Sequence, residues 1–311
     1  MSFQETKATR SQEQICQYML SLGHVTTLNG KFLITVLIFL FLLIIPSNTA
    51  LIYSMIKTKE IKTNTCKILL ALSIGDMFAA LVLIPTHITV VHLQKYPCIF
   101  YSIKHFLEVF LGTSATLLTL GMGLDRYIII SKPHFHTALQ SKAPVLPIYL
   151  AITYAVSIAF GSSVVGIILS NASIRFSIVF NLASIAVYVF VLSSSLIVNG
   201  LLLTYIHRQT KQIRRLSNTH IQSSYQQRAT KTVVIISCIQ FLTIAPWLIS
   251  LTYMTFEFIK HIEDKQYSST LYYIHMWLKM PMYVYSFLNS SVFLYRNKVL
   301  VKFIKSKICT K

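Results

Sequence analysis

Long apolar runs dominate this chain, and each is long enough to cross the hydrocarbon core of a membrane, which takes about 20 helical residues. The runs are continuous rather than alternating, so they indicate helices and not the strands of a barrel. Hydrocarbon offers backbone groups no partner, and a helix satisfies its own backbone. Seven such runs lie at about residues 31–56, 65–92, 99–130, 144–169, 175–206, 229–257 and 268–294. We predict an all-α bundle of seven transmembrane helices.

The composition agrees with a membrane protein of one domain. Although 311 residues could form two soluble domains, 54% of them are hydrophobic and only 12% are charged. No segment outside the apolar runs is large enough to fold separately. We therefore predict an extracellular segment at 1–30, a transmembrane domain at 31–294, and a cytoplasmic helix and tail at 295–311.

The net charge of +19 is concentrated on one side of the predicted bundle. Nineteen lysines and arginines follow the odd-numbered spans, whereas eight lie on the opposite side. Because basic residues mark cytoplasmic loops, the amino terminus is predicted outside and the carboxyl terminus inside. The excess charge also attracts the anionic inner leaflet of the plasma membrane, so no nucleic-acid partner is needed to explain it.

The chain shows no motif of an enzyme or of a metal centre. Its cysteines match neither a zinc spacing nor a dense disulfide framework, and no phosphate loop or nucleophile motif occurs. Residues 1–30 lack the features of a signal peptide, so the first span is expected to act as its own insertion signal.

After the seventh run, apolar residues alternate with lysines over 295–307. This pattern predicts a short helix that lies on the membrane surface with its apolar side down. Cys309 follows the helix and is either a palmitoylation site or an unmodified tail cysteine.

Polar residues and a proline occur inside the apolar runs in a recognisable order. They are Asn48 in the first, Asp76 in the second, Asp125-Arg126-Tyr127 at the end of the third, Pro246 in the sixth and Asn289 in the seventh. With the topology, they resemble the rhodopsin-like (class A) G-protein-coupled receptors over nearly the whole chain. The resemblance implies a receptor that binds an extracellular ligand and activates a heterotrimeric G protein through movement of the sixth helix.

The resemblance assigns the switch to Asp125, Arg126, Tyr127, Pro246 and Asn289. An arginine that a neighbouring charge holds in one state and releases in another forms a bistable pair. The alternative interpretation is that the long side chain of this arginine only extends to the lipid headgroups. A proline within the sixth helix kinks it and provides either a hinge or a static bend.

Asp76 falls in the middle of the membrane, where a carboxylate needs polar partners or a proton. Asn48 and Asn289 are the candidate partners, and the resemblance implies a sodium ion among them. Ala115 occupies the position of a serine ligand in the family, so a purely structural hydrogen-bond cluster remains the alternative.

The chain also departs from the family. Ile244 replaces a tryptophan of the sixth span, Gln226 replaces an acid that restrains the arginine, and the seventh-span motif ends at Phe293 without its proline. The very short second outer loop and the missing fifth-span proline resemble the melanocortin receptors. That loop has no cysteine for the usual disulfide, which leaves Cys16 and Cys98 as a candidate pair.

Glu108 is the candidate anchor for a ligand. It and Tyr283 stand where amine receptors of the family hold an acid and a facing tyrosine, which predicts a cationic amine or a basic peptide. However, Lys104 is one helical turn away and Lys279 lies in the outer half of the seventh span, so an internal ion pair is equally favoured. Lysines that point into a cavity would instead accept an anionic or lipid ligand. His87, His92 and His105 lie near the same rim.

Asn171 begins a glycosylation sequon in the second outer loop. Two other functions stay open. A transporter or channel could use Glu108, Lys279 and Asp76 as a charge pathway, although no inverted repeat supports it. A receptor-like protein that has lost signalling would explain the altered motifs of the sixth and seventh spans.

Overall fold

The computed structural model describes residues 28–61, 63–92, 98–135, 145–169, 174–213, 220–260 and 269–308, which form helices and short turns. The helices are α1 (Leu28–Lys57), α2 (Asn64–Phe78, Ala79–Leu83 and Ile84–His92 in succession), α3 (Cys98–Ser131), α4 (Val145–Leu169), α5 (Ile174–Ile213), α6 (His220–Lys260), α7 (Ser269–Arg296) and α8 (Lys298–Ile308). The predicted all-α bundle is confirmed, and each predicted span coincides with one helix to within a few residues, apart from the polar extensions of α5 and α6.

Six of these helices, α1 to α6, are long and apolar enough over their described residues to cross a membrane. The outer part of α7 is more polar because it carries His275 and Lys279 among tyrosines. It nevertheless packs inside the bundle, where Met276 and Met280 are buried. Beyond the predicted fifth and sixth runs, α5 continues to Ile213 and α6 begins at His220, so both helices extend into the polar segment between these runs.

Large apolar side chains cover the outside of the bundle. Phe39, Phe190, Leu242 and Ile249 are each 60–72% exposed. Exposed apolar side chains on this scale suit a surface that faces lipid rather than water. The buried apolar residues form two main layers, one between α1, α2 and α7 in the half of the bundle predicted to face outwards, and one near the opposite ends of α1, α2, α3 and α6.

The second helix contains a π-helical segment, Ala79–Leu83. Pro85 lies two positions after its end and explains it, since proline lacks the backbone N–H that would bond to the carbonyl of Leu81. The widened turn adds a residue and rotates the following segment by about 100° relative to an unbroken α-helix. That rotation turns the His87 side of α2 towards the interior of the bundle, and His87 is 1% exposed.

The eighth helix begins at a side-chain cap. The Oδ1 atom of Asn297 accepts hydrogen bonds from the backbone N–H groups of Val299 at 3.0 Å and Leu300 at 3.4 Å. Leu300 is fully buried, and the ring of Phe303 lies 6.0 Å from that of Tyr53 in α1. The apolar side of α8 thus attaches in part to the bundle. The helix after the seventh run was predicted, whereas its position on the membrane surface remains a prediction. Cys309 lies outside the described residues.

Candidate functional site: two polar centres and the cytoplasmic switch

The outer half of the bundle contains a buried cluster of charged and polar side chains around Glu108. Lys279 Nζ lies 2.6 Å from its Oε2 atom, and His105 Nδ1 lies 3.3 Å from the same oxygen. His87 Nε2 lies 3.0 Å from Oε1, whereas Lys104 Nζ is farther away, at 3.6 Å. We call these five residues the outer cluster.

Local helix geometry explains how these residues meet. Lys104, His105 and Glu108 occupy one turn of α3, because residues three and four apart share a helix face. Lys279 and Tyr283 are related in the same way on α7, and the rotation at the π-helical segment of α2 supplies His87. The Tyr283 hydroxyl lies 2.7 Å from His87 Nδ1 and so fixes that ring. Three helices therefore converge on one carboxylate.

The outer cluster is almost completely removed from solvent. Lys104 is 0% exposed, and the side chains of Glu108, His87 and Lys279 are no more than 8% exposed. Only the side chain of His105 reaches the surface to a larger extent, at 29%. The carboxylate thus has two lysines beside it in a low-dielectric environment, where unpaired charges are costly.

The structure brings together Glu108, Lys104, His105 and Lys279, the candidates that the sequence indicated. Their arrangement is the internal ion pair that the sequence offered as an alternative to a free anchor. Tyr283 is placed beside His87 instead of bonding directly to Glu108. The sequence indicated His87 only as a rim residue, because the π-helical rotation that moves it to the centre has no simple signature.

A second polar centre surrounds Asp76 in the middle of the bundle. Ser286 donates a hydrogen bond to Asp76 Oδ1 at 2.7 Å, and Asn289 donates one to Oδ2 at 3.4 Å. Asn48, predicted as a direct partner, instead donates to the backbone carbonyl of Ser286 at 3.2 Å. Ser286 was not predicted from the sequence, because it is one of many serines and only the rotation of α7 turns it towards Asp76.

The residues around Asp76 fit a small hard cation such as sodium. Besides the carboxylate, the Oδ1 atoms of Asn48 and Asn289 and the Oγ atom of Ser73 are buried and have no hydrogen-bond partner among the described residues. Oxygen donors of this kind are the ligands that hard cations prefer. Ala115 adds no ligand, in agreement with the departure noted in the sequence.

At the end of the bundle predicted to face the cytoplasm, Arg126 is 8% exposed and its Nε atom has no hydrogen-bond partner among the described residues. Asp125 accepts a short hydrogen bond from the Thr65 hydroxyl of α2. Tyr127, on the next position of α3, is half-buried. The carboxylate is therefore held by α2 while the guanidinium group lies inside the bundle, an arrangement that sequence reasoning did not foresee because Thr65 carries no motif.

Two further contacts connect α7 to α3 and α6 near this end. Tyr285 and Thr119 approach to 2.8 Å through their hydroxyl groups, and Arg296 Nε donates to Thr232 Oγ1 at 2.8 Å. Thr232 is buried and lies on α6, fourteen positions before Pro246. Pro246 itself lies inside α6, so the backbone bond that it lacks falls between this contact and the outer half of the helix.

Several predicted residues fall where the structure gives no side-chain description. Cys16 and Asn171 lie outside the described residues, and Cys98 begins α3 without a described side chain. The disulfide, glycosylation and palmitoylation sites remain predictions. Among the described cysteines, Cys66 and Cys238 are free.

Comparison with known proteins identifies the family. The family model described as 7 transmembrane receptor (rhodopsin family) matches residues 47–289, a stretch from α1 to the inner half of α7. A comparison with curated proteins finds no match. The family match does not reach the level of subfamily, so the similarity to melanocortin receptors remains a prediction. Its members are generally receptors rather than enzymes, and they act in signal transduction at the plasma membrane as multi-pass proteins. The chain belongs to the rhodopsin family of seven-transmembrane receptors.

Proposed function

We propose that this receptor binds an extracellular ligand at the outer cluster and activates a heterotrimeric G protein by an outward movement of α6. The amino terminus lies outside and the α8 end inside, since the basic residues follow the odd-numbered spans. The buried Arg126 carries the proposal, because its Nε atom has no hydrogen-bond partner among the described residues, and a state that supplies a partner to a buried charged group is favoured.

The contact between Arg296 and Thr232 supports α6 as the moving element. It ties the cytoplasmic half of α6 to α7 in this state, and Pro246 supplies the hinge beyond it. If α6 swings away, this hydrogen bond breaks and the space beside Arg126 opens. A sodium ion at Asp76 is part of the proposal, and its positive charge would stabilise the ionised carboxylate within the closed bundle.

The ligand chemistry that the sequence suggested first, a cationic amine or a basic peptide, receives little support from the geometry. Such a cation would have to displace the ammonium group of Lys279, 2.6 Å from Glu108, and bring a further positive charge beside Lys104. The charge pathway of a transporter is less favoured too, because the same contacts hold the carboxylate in a closed cluster.

Loss of the arginine tests coupling. Arg126→Ala in receptor reconstituted into nanodiscs is expected to reduce nucleotide exchange on G proteins to the level of empty nanodiscs, because the group that meets the G protein is removed. Exchange is measured without added ligand on representatives of every G-protein class. Lys57→Ala removes an exposed cytoplasmic charge at the end of α1 and should exchange like the unmodified receptor.

Exchange that is identical in Arg126→Ala and in the unmodified receptor would refute the proposed coupling. If neither exceeded empty nanodiscs in any class, the chain would be a receptor-like protein that has lost signalling. Solute or charge uptake that disappeared in Glu108→Gln would instead identify a transporter.

Removal of the contact between α6 and α7 tests the direction of the switch. Thr232→Val is expected to raise ligand-independent exchange by about tenfold, because a hydrogen bond to a charged donor contributes about 1.5 kcal/mol or more to the closed state. Thr232→Ser keeps the hydroxyl group and should behave like the unmodified receptor. Unchanged or lower exchange in Thr232→Val would show that the contact does not restrain α6.

A further inference from the structure

We propose that Lys104 receives the anionic group of the ligand, a carboxylate or a phosphate. The inference rests on the proposed function, since it assigns the ligand class of a ligand-operated receptor. Glu108 then acts within the site as an internal counter-ion that Lys279 and His87 already hold, and not as the group that binds the ligand.

The first step is the charge of the outer cluster. It contains two lysines and one glutamate, which leaves an excess of one positive charge even when every histidine is neutral. Among the described residues, both lysines form their ion pairs with the same carboxylate, that of Glu108. An uncompensated charge in a dehydrated site is unfavourable, so an added anion would be stabilised there.

The second step is the division of the contacts. Lys279 Nζ, at 2.6 Å, is the cation closest to Glu108, and His105 Nδ1 lies 3.3 Å from the same oxygen. His87 Nε2 lies 3.0 Å from the other oxygen, Oε1, but neither of these two atoms makes a hydrogen bond to the described residues. Lys104 Nζ lies at 3.6 Å and makes no hydrogen bond to the described residues, although the residue is 0% exposed. An ammonium group has three donors. All three donors of Lys104 are therefore available for a ligand, whereas Lys279 already uses one of its donors on Glu108.

The third step is the surroundings of the charge. His105, next to Lys104 in the sequence, has the largest exposed fraction in the outer cluster and marks the side from which a ligand would approach. Below it, Leu107, Leu111 and Trp277 pack against the buried apolar residues of α1, α2 and α7. An anionic group at Lys104 can thus extend an apolar body along these side chains. Both a single-chain lipid and a water-soluble organic acid offer this chemistry.

The experiment measures binding without any G protein. Unfolding of the purified receptor in a neutral detergent is followed through the fluorescence of Trp247 and Trp277. Oleate and lysophosphatidate represent lipids, butyrate and inorganic phosphate represent soluble anions, and oleylamine and oleyl alcohol are the cationic and neutral controls. We expect at least one anion to raise the unfolding midpoint, whereas the neutral control should not.

Substitutions then locate the binding. Lys104→Met should require at least a tenfold higher concentration of that anion for the same shift in midpoint, and Lys104→Arg should keep most of the shift. Lys31→Met removes an exposed lysine at the outer end of α1 and should leave the shift unchanged. Lys104→Met should fold, because it removes the excess charge of the cluster, and Lys104→Gln serves as a second neutral variant.

The outcomes distinguish a lipid ligand from a soluble one, and they test this inference separately from the proposed coupling to a G protein. A shift with oleate or lysophosphatidate alone supports a lipid ligand, and a shift with butyrate or phosphate supports a soluble acid. The inference is overturned if no anion shifts the midpoint, if Lys104→Met responds like the unmodified receptor, or if oleylamine gives a Glu108-dependent shift. Anion binding without nucleotide exchange would refute only the G-protein proposal, and exchange without anion binding would refute only this inference.

Discussion

Glu108→Gln is expected to lower the free energy of unfolding by about 3–5 kcal/mol, the range for breaking a buried ion pair from one side. The substitution keeps the size of the side chain but removes the only carboxylate within ion-pair distance of Lys104 and Lys279 among the described residues. Two buried ammonium groups would then repel each other without compensation. The loss should appear as a lower midpoint of thermal unfolding of the purified receptor.

The same interpretation predicts which second substitution restores stability. In Glu108→Gln, the additional change Lys279→Met should recover a large part of the loss, because it removes one of the two unpaired charges. Glu60→Gln changes a partly exposed glutamate after α1 and should unfold like the unmodified receptor. A midpoint in Glu108→Gln equal to that of the unmodified receptor would show that the lysines do not depend on this carboxylate.

The outer cluster illustrates what the sequence could and could not predict. The spacing of Lys104 and Glu108 puts both on one face of a helix, and the apolar runs place Lys279 at a similar depth, so an ion pair could be predicted. The position of His87 could not, because a single extra residue in the π-helical segment turns this part of α2. An extra residue of this kind changes the direction in which the following side chains point, but it does not change the hydropathy of the apolar run.

At the cytoplasmic end, the motifs identified Arg126 but not the groups that surround it. Thr65 and Thr232 are ordinary threonines, and their contacts with Asp125 and Arg296 join positions 60 and 64 residues apart. Such pairs depend on the rotation and depth of whole helices, which no local pattern specifies. Gln226 in place of an acid that restrains the arginine predicts only a less firmly locked resting state, and does not indicate the contact between Arg296 and Thr232.

Gly121→Val is expected to lower the free energy of unfolding by about 3 kcal/mol, near the upper end of the usual cost of overpacking a core. A Cβ atom at Gly121 would lie 2.5 Å from Cζ and the hydroxyl oxygen of Tyr149 on α4, far inside van der Waals contact. The hydroxyl group also donates a short hydrogen bond to the carbonyl of Leu117, and displacement of the ring would break it. Small residues permit close helix approach in membranes, where packing is a main source of helix association.

The matched control is Gly200→Val, because a Cβ added at that position of α5 meets no atom within 4 Å among the described residues, apart from its own helix backbone and chain neighbours. Both substitutions change the intrinsic helix preference equally, so the difference between their unfolding midpoints isolates the contact with Tyr149. Tyr149→Ala combined with Gly121→Val should lose less stability than the sum of the two single changes, since the clash is absent from the double variant. Equal unfolding midpoints for Gly121→Val and Gly200→Val would mean that α3 and α4 can separate without a loss of stability. The close packing of α4 against α3 would then not help to hold the helix that carries Glu108 and Arg126 in place.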